Sequence, residues 1–247
     1  MPIPKRQWYP GAIYHVISRG IRRSPIFLCP GDFIKFNRVL DNTLQYTPYH
    51  LHAYCLMTNH YHLLVGTKSD PLHKIMHSIN GSYATWFNKK YKLSGHVFEN
   101  RYSSHPVPSD YGLMAVSAYI HNNPLAANMI DDPIYYPWSS LQYYVNPELT
   151  AGSPHFSQSI SERKTFNLSL NIKESVPVNS LVDTYPNPSE WSSFIVPNPP
   201  SGSPPPKAFT RERIRQLFPV PLHIYYKKYV EREWKLHCIQ KSMKTKS

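Results

Sequence analysis

Residues 54–65 read Tyr-Cys-Leu-Met-Thr-Asn-His-Tyr-His-Leu-Leu-Val, a stretch that obliges any fold of this chain to seat two histidines one residue apart. Apolar, β-prone residues flank Thr58-Asn59, so the run predicts a strand over 50–57 that turns at Thr58-Asn59 into a second strand. Side chains alternate faces along a strand. His60 and His62 therefore point the same way and can grip one ion, while Tyr61 turns to the opposite face.

Two histidines leave a divalent ion under-coordinated, so a third ligand and a reactive group are expected elsewhere. The stretch Ser117-Ala-Tyr-Ile-His-Asn-Asn-Pro124 reads as the end of a helix stopped by Pro124. It sets Tyr119 and Asn123 four residues apart on one face, bringing a phenol oxygen and an amide oxygen to one place. The bare spacing has a decoy, because His50-Leu-His52 repeats it ten residues before His60. A His-x-His pair on a strand is also, more often than a metal site, a hydrogen-bonded pair of half-buried histidines. Tyr83, Tyr102 and Tyr111 compete with Tyr119 in polar or basic settings, but only Tyr119 has an amide one turn away beside a proline.

The remaining pattern up to about residue 145 alternates strands and helices. Residues 12–18 are strand-like, and Asp32 is placed to cap a helix whose Phe33, Phe36, Leu40 and Leu44 form an apolar stripe. A long helix is predicted over 71–91, with Pro71 in its first turn and Leu72, Ile75, Ile79, Tyr83 and Phe87 on one side. A strand over 97–107 and a helix over 110–123 follow. This order predicts an α+β fold, a ferredoxin-like antiparallel sheet with helices packed on one face. Strand-borne histidines and a helix-borne tyrosine would meet at the sheet surface.

Composition divides the rest. Residues 146–206 are rich in Pro, Ser and Asn, a stiff linker in which Phe166, Trp191 and Phe194 offer scattered docking points. Residues 207–247 interleave Lys and Arg with Phe218, Tyr225, Tyr226, Tyr229 and Trp234, which suits DNA backbone contact with base stacking, or equally a small helical hairpin with an aromatic core. The chain thus divides into a catalytic domain at 1–145, a linker at 146–206 and a basic, aromatic C-terminal segment at 207–247. A net charge of +12 over 247 residues favours a polyanionic partner. Cys29, Cys55 and Cys238 are too few and too scattered for a disulfide framework, and no apolar run approaches a membrane span. A cytoplasmic protein without a membrane partner is expected.

The ordered motifs Pro10-Gly-Ala-Ile-Tyr-His-Val, Ser18-Arg-Gly, residues 54–65, Ile79-Asn-Gly-Ser-Tyr-Ala, Ser94-Gly-His-Val-Phe98, Tyr119-Ile-His-Asn-Asn-Pro-Leu-Ala126 and Tyr136-Pro-Trp-Ser-Ser140 resemble the REP-associated tyrosine transposases. These are HUH one-tyrosine enzymes that cut and join single-stranded DNA. The resemblance spans about residues 9–141 and implies the ferredoxin-like fold independently. It assigns the nucleophile to Tyr119 and the metal ligands to His60, His62 and Asn123, not to the decoy pair.

It further implies DNA transposition through a 5′-phosphotyrosine intermediate, on single-stranded or hairpin-forming repeat DNA. An unperturbed phenol has a pKa of about 10, so a cation at the scissile phosphate is needed. The donor set suits Mg²⁺ or Mn²⁺, although histidines also accept Zn²⁺. The family also allows a homodimer. Two other classes share the pattern: a DNA-binding protein that keeps the fold without cleavage, and an RNA-binding ferredoxin-like module. Intact candidate residues argue against the first, and the lack of an RNP-type aromatic signature against the second.

Overall fold

The computed structural model describes residues 8–146, 205–207, 209–218 and 222–244. The proposed linker, with Phe166, Trp191 and Phe194, lies almost wholly outside the described residues. Four strands, β1 (Ile13–Arg19), β2 (Tyr49–Met57), β3 (His60–Thr67) and β4 (Ser103–Pro106), form one antiparallel sheet in the order β2-β3-β1-β4. Helix α1 (Pro30–Tyr46) separates β1 from β2 and helix α2 (Leu72–Tyr91) separates β3 from β4, which gives the βαββαβ order of a ferredoxin-like fold.

One face of the sheet carries Tyr14, Val16, Tyr61, Leu63 and Val65, all buried. Helices α1 and α2 cover it through their apolar stripes. Phe33, Phe36 and Leu40 of α1 and Ile75, Ile79, Tyr83 and Phe87 of α2 are all core residues. Tyr61 shows how the face is fixed: its ring packs 4.8 Å from that of Phe36, and its hydroxyl donates to Asn80 on α2. Burying a side chain of this kind contributes roughly 1.5–3 kcal/mol, and a one-residue slip of β3 would forfeit it.

Several local expectations are corrected. Helix α1 starts at Pro30, with Cys29 as the N-cap, and Asp32 acts one turn in, where its carboxylate accepts from the Leu28 and Cys29 amides at 2.6 and 3.1 Å. Pro71 occupies the N-cap of α2 and not its first turn. The strand predicted over 97–107 is only β4, because Gly20 takes Phe98 as an isolated bridge and the chain between Phe98 and Ser103 leaves the ladder.

Helix α3 runs Asp110–Ala126, through Pro124 and not up to it. A proline in the last turn removes only the amide that would have bonded Ile120 O. Asn123 replaces that donor in part, its Nδ2 lying 2.9 Å from Tyr119 O and 3.4 Å from Ile120 O. The same helix lies across the second face of the sheet, packed on β2 and β3.

The C-terminal segment rejoins this body. The outer edge of β2 pairs with Ser139 at Cys55 and with Phe209 at Leu51, and Thr210 N–H donates to Leu51 O at 2.9 Å. Such pairing closes an edge that would otherwise be open to other chains. Short helices α4 (Leu141–Val145) and α5 (Glu212–Arg215) precede the long α6 (Leu222–Lys244), whose first half packs on α3 and α4. Ile214, Tyr226 and Val230 are buried there. The Tyr226 hydroxyl bonds Ser117 Oγ at 2.9 Å and His121 Nδ1 at 2.8 Å, tying α6 to the helix of Tyr119.

Candidate functional site

The face of the sheet beneath α3 is set by register. Pairing of Ile17 with His62, Arg19 with His60 and His15 with Leu64 puts His15, Ile17 and Arg19 on the same side as His60 and His62. His15 and His62 stack with ring centroids 5.2 Å apart, and His60 lies 5.0 Å from His62. Tyr119 descends onto this cluster from α3. Its ring is edge-on to His15 at 5.7 Å and to His62 at 5.8 Å, and it is half exposed, while His62 is buried. The structure therefore brings Tyr119, His60 and His62 together. Asn123 sits one turn beyond Tyr119 on the same helix, half-buried, its Nδ2 held by the backbone so that Oδ1 is the amide atom left for a ligand.

Hydrogen bonding selects one nitrogen on each imidazole. His60 Nδ1 meets Asn59 Oδ1 at 2.6 Å, so that nitrogen carries the proton and Nε2 has the lone pair. His62 Nδ1 meets His15 Nε2 at 2.9 Å, and in the tautomer where His62 Nδ1 donates its Nε2 likewise has the lone pair. Ligand histidines are commonly oriented in this way by a partner on the other nitrogen. Burial, reinforced by Arg19, pushes His60 down to about 4; burial first, then His60, His15 and Arg19, holds His62 well below its ordinary range. Burial and His105 bring His15 down to about 4. All three are neutral near pH 7, the form in which imidazole binds a metal. Among the described residues no three His, Cys, Asp or Glu side chains form a metal-binding group, so a cation held by His60 and His62 would need an amide or substrate oxygens as further ligands. Two neutral imidazoles with free Nε2 atoms and one amide oxygen fit a divalent cation with open positions.

His15, Asn59 and Arg19 were not assigned roles from the sequence. His15 alternates with Tyr14 and Val16 as any strand residue would, and only the register of β1 on β3 places it against His62. Of the rival tyrosines, Tyr83 is buried and donates to Ile26 O at 2.5 Å, Tyr102 is buried, and Tyr111 is exposed two turns before Tyr119. The decoy pair lies on β2, away from Tyr119. His52 occupies a bulge between Leu51 and Ala53, is buried against Gly66, and has a backbone hydrogen bond with Thr210; His50 is exposed.

No helix of the described residues is long and apolar enough to cross a membrane. Residues 9–123 match the family described as transposase IS200-like. A solved structure of a REP-associated tyrosine transposase bound to a REP hairpin is similar over 61% of this chain and 89% of that one, at 16% identity and a TM-score of 0.52. A transposase-described protein from Deinococcus radiodurans R1 aligns over 49% of this chain and 97% of its own, at 19% identity and a TM-score of 0.34. No curated protein matches the chain.

Proposed function

With residues 9–123 belonging to the IS200-like transposase family, we propose that this chain cleaves and rejoins single-stranded or hairpin-forming repeat DNA through a phosphotyrosine at Tyr119. The observation that carries this reading is the half-exposed Tyr119 ring edge-on to two neutral, buried histidines. The similar solved structure was obtained with a REP hairpin, which supports hairpin DNA as a partner here.

In the reaction, Tyr119 Oη attacks the scissile phosphorus, the Oη–P bond forms and the P–O3′ bond breaks. The leaving oxygen takes a proton to become a free 3′-hydroxyl, and the phenolic proton passes to solvent or to a neighbouring base. Attack by a 3′-hydroxyl on the phosphotyrosine reverses the step and joins a new end, so no nucleotide energy source is consumed. His60 and His62 through Nε2, with Asn123 Oδ1, would hold Mg²⁺ or Mn²⁺, which when bound neutralises charge building on the phosphate oxygens. His15 and Asn59 orient the two imidazoles. Arg19, facing His60 across the β1–β3 pair, adds a fixed positive charge at the end of the site, and the exposed Arg22 and Arg23 follow it in the next turn.

Residues 1–145 are the catalytic domain in this reading, and 207–247 a DNA-binding accessory docked on it. The test is incubation with labelled single-stranded DNA and Mg²⁺ or Mn²⁺, followed by denaturing electrophoresis. A covalent adduct present in the wild type and absent in Tyr119→Phe supports the proposal; binding without any adduct favours a protein that has kept the fold alone.

A further inference from the structure

Helix α6 has two halves with different surroundings. Up to Val230, which is buried and accepts from Asn122 Nδ2 at 3.0 Å, it is part of the core. Beyond that point it continues along α3 without closing on it. The groove left between them is floored by Ala115, Tyr119 and Asn123 of α3 and walled by Trp234 and His237 of α6, with Tyr111 at its rim. Small Ala115 and Ala126 on α3 leave the space that larger side chains would fill.

Three properties of the groove point to one occupant. It is continuous with the proposed nucleophile, since Tyr119 and Asn123 belong to its lining. It offers flat π surfaces: the Trp234 and His237 rings stack 5.5 Å apart at 23°, and Tyr111 is 69% exposed. Helix α6 as a whole is cationic, because Leu222–Lys244 carries six Lys and Arg against two Glu, and these cations flank a groove whose one charged lining residue is Glu233. Both Glu are already engaged, Glu231 with Lys227 at 3.9 Å and Glu233 with Arg232 at 3.0 Å. A protein helix would use the apolar surface but not the excess charge, and a duplex hides its base faces. Unpaired bases on a phosphate backbone use both.

We infer that the α3–α6 groove carries the single-stranded flank of the DNA next to the scissile phosphate, with a base stacked on Trp234 and another on Tyr111. The inference rests on the proposed cleavage at Tyr119 for the direction of the strand, but binding is measured separately from chemistry. The α6 wall thus has a dual use. Its first half holds the tyrosine helix in place, and its second half guides the strand to that tyrosine.

The experiment uses the full chain and a fluorescein-labelled oligo-deoxythymidine, which forms no hairpin. Stacking of one base is worth about 1–3 kcal/mol, so Trp234→Ala is expected to weaken binding roughly 5- to 150-fold and Tyr111→Ala by a similar or smaller factor. The salt slope should stay as in the wild type, because no phosphate contact is lost, and Trp234→Phe should restore most of the affinity. An unfolding midpoint equal to the wild type for each variant excludes misfolding, and Tyr111→Ala, at an exposed position on α3, supplies the answer if Trp234→Ala unfolds. Wild-type affinity in both alanine variants overturns the inference, as does a change confined to self-association or to capture of a protein. Adduct formation by the wild type on the same oligonucleotide flanked by its own repeats is read in parallel, so failure of the groove and failure of the cleavage reading are told apart.

Discussion

The chain contains the same three-residue pattern twice, as His50-Leu-His52 on β2 and His60-Tyr-His62 on β3, and the two pairs end up in opposite circumstances. On β3 the strand is regular, flanked on both sides, and its even-numbered residues look toward α3. Both imidazoles there have a hydrogen-bond partner at Nδ1, and His62 has a neighbour in Tyr119. On β2 the register slips at the bulge between Leu51 and Ala53, one histidine is exposed, and the buried one serves the junction with the returning C-terminal segment. What distinguishes the proposed ligand pair from the structural pair is what the neighbouring strand and helix bring to it, not the spacing.

The largest expected contrast between the pairs is in cleavage. His62→Ala should lower the rate on the order of 10²-fold or more, the scale on which loss of a group that stabilises transition-state charge is felt. His50→Ala should leave the rate unchanged in the same single-turnover assay, and an equal loss in both would erase the contrast. A smaller effect belongs to His15, which acts through His62. His15→Phe should cost about 10- to 100-fold, recoverable in part by raising the metal concentration, as expected for a residue that orients a ligand. A loss insensitive to metal would instead assign His15 to the substrate.

On the structural side, His52 should reveal itself through acid stability. Burial, with His50 the next cause, lowers it to about 4 against 6.5 in an unfolded chain. The unfolded state therefore takes up a proton first as the pH falls. The stability His52 contributes is complete above pH 6.5 and is lost progressively toward pH 4, by at most about 3 kcal/mol. Urea midpoints at pH 7 and pH 4.5 should converge more closely in His52→Gln than in the wild type, and parallel curves would remove His52 from the account. The smallest effect is again at His50, where an exposed side chain should change stability by no more than about 0.5 kcal/mol.

Much of the β3 site was legible because its information is local. Alternation on one strand and a four-residue spacing on one helix fixed the relative facing of His60 with His62 and of Tyr119 with Asn123. The strands and helices around them followed from apolar stripes that the core then uses. What escaped the sequence depends on distant pairing. His15 meets His62 through the β1–β3 register, and Tyr226 reaches Ser117 and His121 across more than a hundred residues. Composition separated the C-terminal segment from residues 1–145, yet its helix shares their core, because buried aromatic residues were interleaved with solvated lysines and arginines. Pro124 misled for a local reason: a helix tolerates a proline in its last turn when a nearby amide supplies the missing donor.

The most direct test of the account is covalent. Full-length protein is incubated with Mn²⁺ and 5′- or 3′-labelled single-stranded DNA containing the candidate repeat, digested with trypsin, and the DNA-linked peptide is identified by mass spectrometry. The account predicts that the strand 3′ of the cut is attached by its 5′-phosphate to Tyr119, and that Tyr119→Phe, which keeps the ring against His15 and His62, gives no adduct while binding the same DNA. A phosphotyrosine at Tyr111 or Tyr102, or an undiminished adduct in Tyr119→Phe, would contradict it.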